Sequence, residues 1–291
     1  MDLDLAQLRA LDATVTAGTL DGAARALHVT PSAISQRLKA LEAATGRVLL
    51  VRSKPVQVTE SGQPVLRLAR QVALLAADAT RELAPADGDR AVTLPIALNA
   101  DSMATWVLPA LAPLAGDVAF DLHVLDQEHT AALLRDGRVM AAVTAAADPV
   151  PGCTVTRLGG MRYRPMATRQ FARRWFPDGV TAQALARAPV VVFDRTDELQ
   201  HGYLRARGVD PAVPPVHHVP ASVDYVTAVT LGFGWGMVPP QQEPPGGLEE
   251  LDRDGGVDVV LYWQQWRLRS PSLDRVADAV RTAARHHLDQ R

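Results

Sequence analysis

The chain is almost without cysteine, with one residue, Cys153, in 291. A single thiol excludes an internal disulfide framework and fits a reducing compartment. It is either a small packed side chain or a redox sensor, and reactivity requires a depressed pKa that sequence does not carry. No apolar run is long enough to cross a bilayer. The opening MDLDLAQ is acidic and lacks the basic and apolar regions of a signal peptide. A soluble, cytoplasmic protein with no membrane partner is expected. There is no GxSxG elbow, Walker A loop, dinucleotide fingerprint or HExxH pattern, so no enzyme class is indicated. His217-His218 and His286-His287 are adjacent pairs whose side chains diverge on a strand or a helix, so neither makes a metal motif. The reading is of a non-enzyme with no catalytic residue, no metal and no cofactor. A global excess of positive charge is missing too, since 30 Lys and Arg face 32 Asp and Glu for a net charge of −2.

What is present is concentrated near the amino end. Residues 19–42 read TLDGAARALHVTPSAISQRLKALE, two short helices joined by a tight turn. Thr30 is a good N-cap, because its hydroxyl can accept from a first-turn amide. Pro31 sits where its missing N–H costs nothing. Ile34, Leu38 and Leu41 recur at helical spacing as one buried stripe. At about 100° per residue, Ser32, Gln36 and Lys39 fall on the opposite face, with Ser35 at its edge. Ser and Gln can bond base edges, and Lys suits phosphate or guanine. Such a helix fits a major groove, although a solvated helical hairpin explains the same periodicity. The charge around it favours the groove. Between residues 25 and 58 the basic residues are Arg25, Arg37, Lys39, Arg47, Arg52 and Lys54, and the one acid is Glu42. Local positive charge is what phosphate contacts need.

The flanks complete a small domain. A first helix over about 5–16 turns Leu5, Leu8, Leu11 and Val15 inward, and Thr19 caps the second. Helix three runs to about Ala44, where Gly46 follows as a stop. VLLVRSKPVQVT is β-rich and broken by Ser53-Lys54-Pro55, which reads as a hairpin wing with Arg52 and Lys54 at its tip. Residues 61–83 form one long helical pattern. Val65, Leu68, Val72, Leu75 and Ala79 make a short coiled-coil seam that either dimerises or packs on its own domain. APADGDRA then reads as a hinge.

Beyond the hinge the pattern alternates. VTLPIAL, FDLHVL and MAAVTAA are strand-like, with helical patterns at 103–115 and 129–136, which implies a parallel sheet. Near 162–167 the chain crosses into a second α/β region containing VVVFD, HHVPAS and GWGMVP. LYWQQWRL returns, and a last helix spans about 272–288. At 291 residues and 47% hydrophobic, two or three domains with real cores are expected. Ligands in open α/β sheets bind at the carboxyl ends of strands, near helix N-termini. IALNADSMATW is such a place, where free amides suit a carboxylate and Ser102 adds a hydroxyl or merely caps a helix. Thr105 and Trp106 lie one turn on. Thr144 ends the third strand, and Asp194 ends VVVFD. The glycines of 232–239 either admit a ligand close to backbone or make a tight turn. Tyr262, Trp263 and Trp266 line a pocket or cross as core.

The opening LDLAQLRALDATVTAGTLDGAARALHVTPSAISQRLKALEAATGRVLLVR, with the following VTESGQPVL, resembles the DNA-binding segment of LysR-type transcriptional regulators. The resemblance runs the length of the chain. Through NADSMATWVLPAL, PGCTVTRLGGMRYRPMA and LYWQQW it is nearest to the lysine- and arginine-responsive, LysG/ArgP-like (IciA) branch. It implies an α+β chain of three parts: a winged helix-turn-helix at 1–60, a linker and dimerisation helix with hinge at 61–90, and an effector domain at 91–291. That last part is a two-lobed, periplasmic-binding-protein-like α/β module, with lobe I at about 91–163 and 263–291 and lobe II at about 164–262. The resemblance further implies DNA contacts from Thr30, Pro31, Ser32, Ser35, Gln36, Arg37, Lys39, Arg52 and Lys54. Ser102 matches a residue that commonly contacts the effector. A basic amino acid needs acids for its cationic end, and Asp101, Asp126 and Glu128 stand near that cleft, unless they are caps or solvated. L-lysine or L-arginine, operator DNA, a second copy within a dimer or tetramer, and RNA polymerase are the implied partners. The expected targets are amino-acid export or lysine and arginine metabolism genes. The alternative is low-specificity binding at a replication origin or in the nucleoid. An enzyme or carrier using the two-lobed module ranks last.

Overall fold

The computed structural model describes residues 3–51, 53–83, 92–124 and 127–290, and for 127–129 the backbone alone. Three helices open the chain, α1 (Leu5–Ala17), α2 (Leu20–Ala26) and α3 (Pro31–Thr45). α2 and α3 start on the caps that the sequence offers. Thr19 Oγ1 accepts from the Gly22 amide at 3.0 Å, and Thr30 Oγ1 from the Ala33 amide at 3.2 Å. β1 (Leu50–Val51) and β2 (Gln57–Val58) pair antiparallel as the wing, while Arg52 lies outside the described residues. Ile34, Leu38 and Leu41 are buried together with Leu8, Leu11 and Leu49, which makes the core of this head. Leu5 departs from expectation. It is 53% exposed, and Ala10 and Thr14 take inward positions instead. Side chains on a helix lean towards its N-terminus, so the first residue overhangs the core it was expected to enter.

Helix α4 (Gly62–Leu83) belongs to two cores. Leu66 and Ala69 close the head, whereas Leu74 enters the core of the carboxyl-terminal unit. Near its end, buried Asp78 accepts from the hydroxyls of Ser270 and Ser272. Arg81 donates to Ser272 Oγ at 2.7 Å and to the Asp117 carbonyl at 2.8 Å. The expected seam lies on the other side. Leu68 and Leu75 are 37% and 39% exposed, Ala79 is exposed, and Val65 and Val72 are half-buried. The hinge expected at 84–91 is outside the described residues.

Lobe I is built on β3 (Val92–Leu98), β4 (Val118–Val124) and β5 (Ala141–Thr144), with β3 parallel to both neighbours. After β3 come α5 (Ala100–Ser102), a π turn (Met103–Val107) and α6 (Leu108–Leu111), and α7 (Gln127–Arg135) joins β4 to β5. β6 (Cys153–Ala167) then carries the chain from one lobe to the other as a single strand of 15 residues. Lobe II contains α8 (Arg169–Trp175), α9 (Ala182–Leu185), β7 (Val190–Val192), α10 (Leu199–Ala206), β8 (Val216–His218), α11 (Ser222–Thr230), β9 (Gly236–Val238) and β10 (Glu249–Glu250). β11 (Val257–Trp266) returns beside β6, and α12 (Pro271–His287) packs on lobe I. Cys153 to Tyr163 of β6 pair with β11, and Arg164 to Ala167 pair with β9 and β10. Trp263 and Trp266 are fully buried, so this crossover is core. The architecture is α+β, a winged head and a long helix leading to a two-lobed α/β unit.

The Asp78 anchor makes a measurable prediction. Asp78→Ala leaves Ser272 without its acceptor and removes the charge that Arg81 faces, at 4.0 Å. A loss of about 1–3 kcal/mol is expected in urea unfolding followed by tryptophan fluorescence. Asp78→Asn, which keeps one acceptor, should lose less. An unmoved midpoint in Asp78→Ala would remove the anchor from the account of stability.

Candidate functional site

Two surfaces carry chemistry. On the head, α3 presents Ser32, Gln36 and Lys39 fully to solvent, with Thr30 and Pro31 at its exposed start. Ser35 and Arg37 flank this face half-buried, and Lys54 is exposed on the wing. Thr30 and Ser32 bond each other through their hydroxyls at 3.0 Å. The one acid of the basic stretch is turned away, since Glu42 Oε1 accepts from the Leu49 amide at 2.9 Å at the root of the wing. The exposed face is therefore polar, basic and uncrossed by a carboxylate of this span.

The second surface lies between the lobes, and its centre is Asp101. Asp101 Oδ2 accepts from the Tyr163 hydroxyl at 2.6 Å, and Oδ1 from Ser222 Oγ at 2.6 Å and Gln242 Nε2 at 3.4 Å. Gln242 also donates to Ser222 Oγ at 2.6 Å. Asp101 comes from the start of α5 in lobe I, Tyr163 from the crossing strand, and Ser222 and Gln242 from lobe II. One carboxylate thus ties both lobes and the strand between them. Burial, the Asp101 charge and the bond to it hold the Tyr163 phenol well above its ordinary pKa, so it stays a donor.

Ser102 is wholly buried next to this knot, and its hydroxyl has no partner among the described residues. It is not the cap of the helix, because Asn99 holds that position and the helix starts one residue later. A buried hydroxyl without a partner is costly unless something else satisfies it. Thr105 spends its hydroxyl on the Asp101 carbonyl at 2.6 Å. Trp106 packs in the lobe I core. Thr144 is buried at the end of β5 and accepts from the Ala146 amide at 3.2 Å. Asp194 is turned into its own loop, accepting from the Thr196 and Asp197 amides at 2.8 and 3.1 Å. Asp126 and the side chain of Glu128 lie outside the described residues.

The structure brings in residues that sequence reading passed over. Besides Tyr163, Ser222 and Gln242, Asp197 follows the end of β7 and accepts from the Phe193 and Leu199 amides at 3.2 and 3.0 Å. Its pKa is raised, first by burial and then by the charges of Asp101 and Asp194. Gln200, in the first turn of α10, is buried and donates to the Tyr225 hydroxyl at 2.6 Å. Of the glycines in 232–239, Gly232 makes the turn at φ +80°, and Gly234 and Gly236 serve packing. A Cβ at Gly236 would lie 2.4 Å from the Tyr225 hydroxyl, and one at Gly234 would lie 2.7 Å from the Pro189 carbonyl. His217, His218, His286 and His287 are exposed, and no metal-holding group of His, Cys, Asp or Glu occurs among the described residues.

Two family models match the chain. One, the bacterial regulatory helix-turn-helix protein of the lysR family, covers residues 5–63, and the LysR substrate binding domain covers 88–285. The HTH-type transcriptional regulator LysG of Mycobacterium tuberculosis is 46% identical over 285 residues, 97% of this chain and 94% of that protein. The crystal structure of ArgP from Mycobacterium tuberculosis superposes with a TM-score of 0.88 at 43% identity, covering 100% of both chains. Full-length LysG from Corynebacterium glutamicum with bound effector Arg gives 0.79 at 38% identity, over 98% of this chain and 99% of that one. These relatives are named as transcriptional regulators or LysR-type proteins, not as enzymes.

Cys153 tests the alternative of a redox sensor. It is 2% exposed, and burial pushes its thiol up to about 11. At pH 8 only about one thiol in a thousand is then ionised. The folded protein is expected to resist a disulfide reagent at pH 8 and to react with one equivalent once unfolded in guanidinium. Rapid labelling of the folded protein would restore the sensor.

Proposed function

The chain belongs to the LysR family of bacterial helix-turn-helix regulators, and from that premise we propose that it reads a dyad operator under the control of a basic amino acid. In this reading residues 1–60 read DNA, 61–90 link and dimerise, and 91–291 bind L-lysine or L-arginine between the lobes. The carrying observation is Asp101, bonded to both lobes beside the unpartnered hydroxyl of Ser102. The ligand carboxylate is placed at Ser102 and the first amides of its helix, and the cationic end at Asp101 and Asp197. Two acids approaching one cleft from different lobes favour a cation that bridges them. A relative with Arg bound supports the same ligand class. Thr105, Trp106, Thr144 and Asp194 then support the pocket from behind, through backbone bonds and packing, and Asp126 and Glu128 are assigned as further acids from the sequence alone.

Ligand can shift the heads only if it binds one arrangement of the lobes better than another. A bridge between Asp101 and lobe II supplies that difference. On the DNA side, Ser32, Ser35 and Gln36 are assigned to base edges, and Thr30, Pro31, Arg37, Lys39, Arg52 and Lys54 to the backbone. Val65, Leu68, Val72, Leu75 and Ala79 are assigned to the partner copy, two dimers assembling into a tetramer. RNA polymerase is the downstream partner, and genes of amino-acid export or lysine and arginine metabolism are the targets.

A thermal-shift panel of the proteinogenic amino acids tests the ligand. At a hundred times its Kd, a ligand adds about 2.7 kcal/mol. Arginine or lysine should therefore raise the melting temperature by roughly 5–11 °C, and Ser102→Ala and Asp197→Asn should each weaken binding at least about tenfold. A panel in which no basic amino acid shifts the melt would remove the assignment.

DNA titrations test the head. Gln36→Ala should cost about 1–3 kcal/mol on the specific site and little on random DNA. Lys39→Ala should weaken both and lower the salt slope by about 1. Equal affinity of the unaltered protein for any sequence, with a steep salt slope and no ligand effect, would favour the low-specificity reading instead.

A further inference from the structure

Arg70 sits near the middle of α4 with its side chain only 11% exposed, and it is bonded on two sides. Its Nε donates to Asp12 Oδ1 of α1, in the head, at 2.8 Å. Its Nη1 donates to the carbonyl of Gly137 in lobe I. One guanidinium therefore joins three bodies, the head, the long helix and the effector unit. The fork of Arg can serve two acceptors in different directions, whereas a Lys ammonium on the same stem is a point charge without that planar fork.

The contact with lobe I is close by construction. Gly137 follows α7 with φ +67°, where a side chain is strained, and a Cβ there would lie 2.9 Å from the Arg67 Cα. Backbone of lobe I is thus pressed onto backbone of α4. One turn earlier on α4, Arg67 donates to the Pro151 carbonyl at 3.3 Å. The Gly137 and Arg138 amides bond back to Leu134 and Leu133 at 3.1 and 2.8 Å, so the Gly137 carbonyl is fixed to the end of α7. The other end of α7 begins at Gln127, just past the carboxyl end of β4, where sheets of this kind meet ligands. α7 is nine residues, about 13 Å of rigid helix between the ligand side of lobe I and Arg70.

We propose that Arg70 is the positioning residue that fixes the DNA-reading head against lobe I and passes the state of the cleft to it through α7. The second part rests on the ligand gating proposed above; the first does not. A shift of α7 moves the Gly137 carbonyl, and Arg70 must then release it or draw Asp12 and α1 along. In this proposal the head alternates between a clasped and a released position, which is what a coupling element requires. Lys at position 70 keeps the charge near Asp12 but does not span both acceptors.

The test uses the full-length protein, with Arg70→Ala, Arg70→Lys and Asp12→Asn, the last disturbing only the head side. Hydrogen exchange without ligand reads the clasp. Peptides over residues 8–16 should exchange faster in Arg70→Ala and Asp12→Asn than in the unaltered chain. Calorimetry with arginine and operator titrations with and without arginine read the coupling. Arginine affinity should stay within about twofold in all three variants, because Arg70 is assigned no contact with ligand. The ratio of operator affinities with and without arginine should contract at least about fivefold. Arg70→Lys should stay uncoupled while melting like the unaltered protein, and the double variant Arg70→Ala/Asp12→Asn should be no worse than Arg70→Ala alone. Unchanged exchange over 8–16 overturns the clasp, and an unchanged affinity ratio overturns the coupling. If the unaltered chain binds no arginine, the gating reading fails separately, and the exchange arm still decides whether Arg70 holds the head.

Discussion

The two lobes hang on one antiparallel ladder, the pairing of β6 with β11. Ten registered pairs run from Cys153 with Trp266 to Tyr163 with Val257, broken by one shift at Leu261 and Tyr262. At Tyr163 the partner changes, because the next residue, Arg164, pairs with Val238 of β9. Everything upstream on β6 belongs to lobe I and everything downstream to lobe II. The lobes cannot separate without tearing backbone bonds, but they can twist about the place where the strand changes partners. Tyr163 stands at that place and carries the hydroxyl that Asp101 accepts. The position of the proposed ligand site thus coincides with a change of strand partner, the same physical circumstance that opens crevices in other α/β sheets.

Asp101 is the complement to this pivot. Its three donors are neutral, two hydroxyls and an amide, so its charge is solvated by the protein without being neutralised. Asp197 is served by two backbone amides, which are neutral as well. Neutral donors stabilise a carboxylate and leave its field largely in place, and the pKa of Asp197 is raised first by burial and then by the Asp101 charge. A cation between them gains from both. In the proposed site, uncharged analogues of the same length would meet only exchangeable hydrogen bonds, so discrimination by charge would precede discrimination by shape.

Local physics was legible in the sequence. Thr19, Thr30, Pro31 and Gly46 act within a few residues of themselves, and the helices begin and end where they indicate. The stripe of Ile34, Leu38 and Leu41 and the alternation of strands and helices were equally local. Leu5 was misplaced because periodicity does not say where a core ends. In the cleft, Asp101 and Ser102 stand out in the sequence because they follow a strand. Their partners were not, since Tyr163, Ser222 and Gln242 lie 62, 121 and 141 residues from Asp101. Asp194 and Asp197 are three residues apart, and only the fold of the loop decides which turns inward and which closes its own turn. On α4 the apolar residues cover a broad arc of the helix. One side was read as the seam, whereas Leu66, Ala69, Leu74 and Asp78 are the side this chain covers itself.

That inner side of α4 bears on whether the chain is divisible. A fragment ending at residue 60 lacks Leu66 and Ala69, so the floor of the head beneath Leu8, Ile34 and Leu49 stands open. A fragment starting at residue 91 lacks Leu74 and Asp78, and the hydroxyl of Ser272 faces water with no carboxylate to meet. A cut at either boundary thus removes contacts that the half makes with the helix. The helix is common property, and a recombination that exchanges heads between such regulators must carry the helix with one partner and refit it to the other.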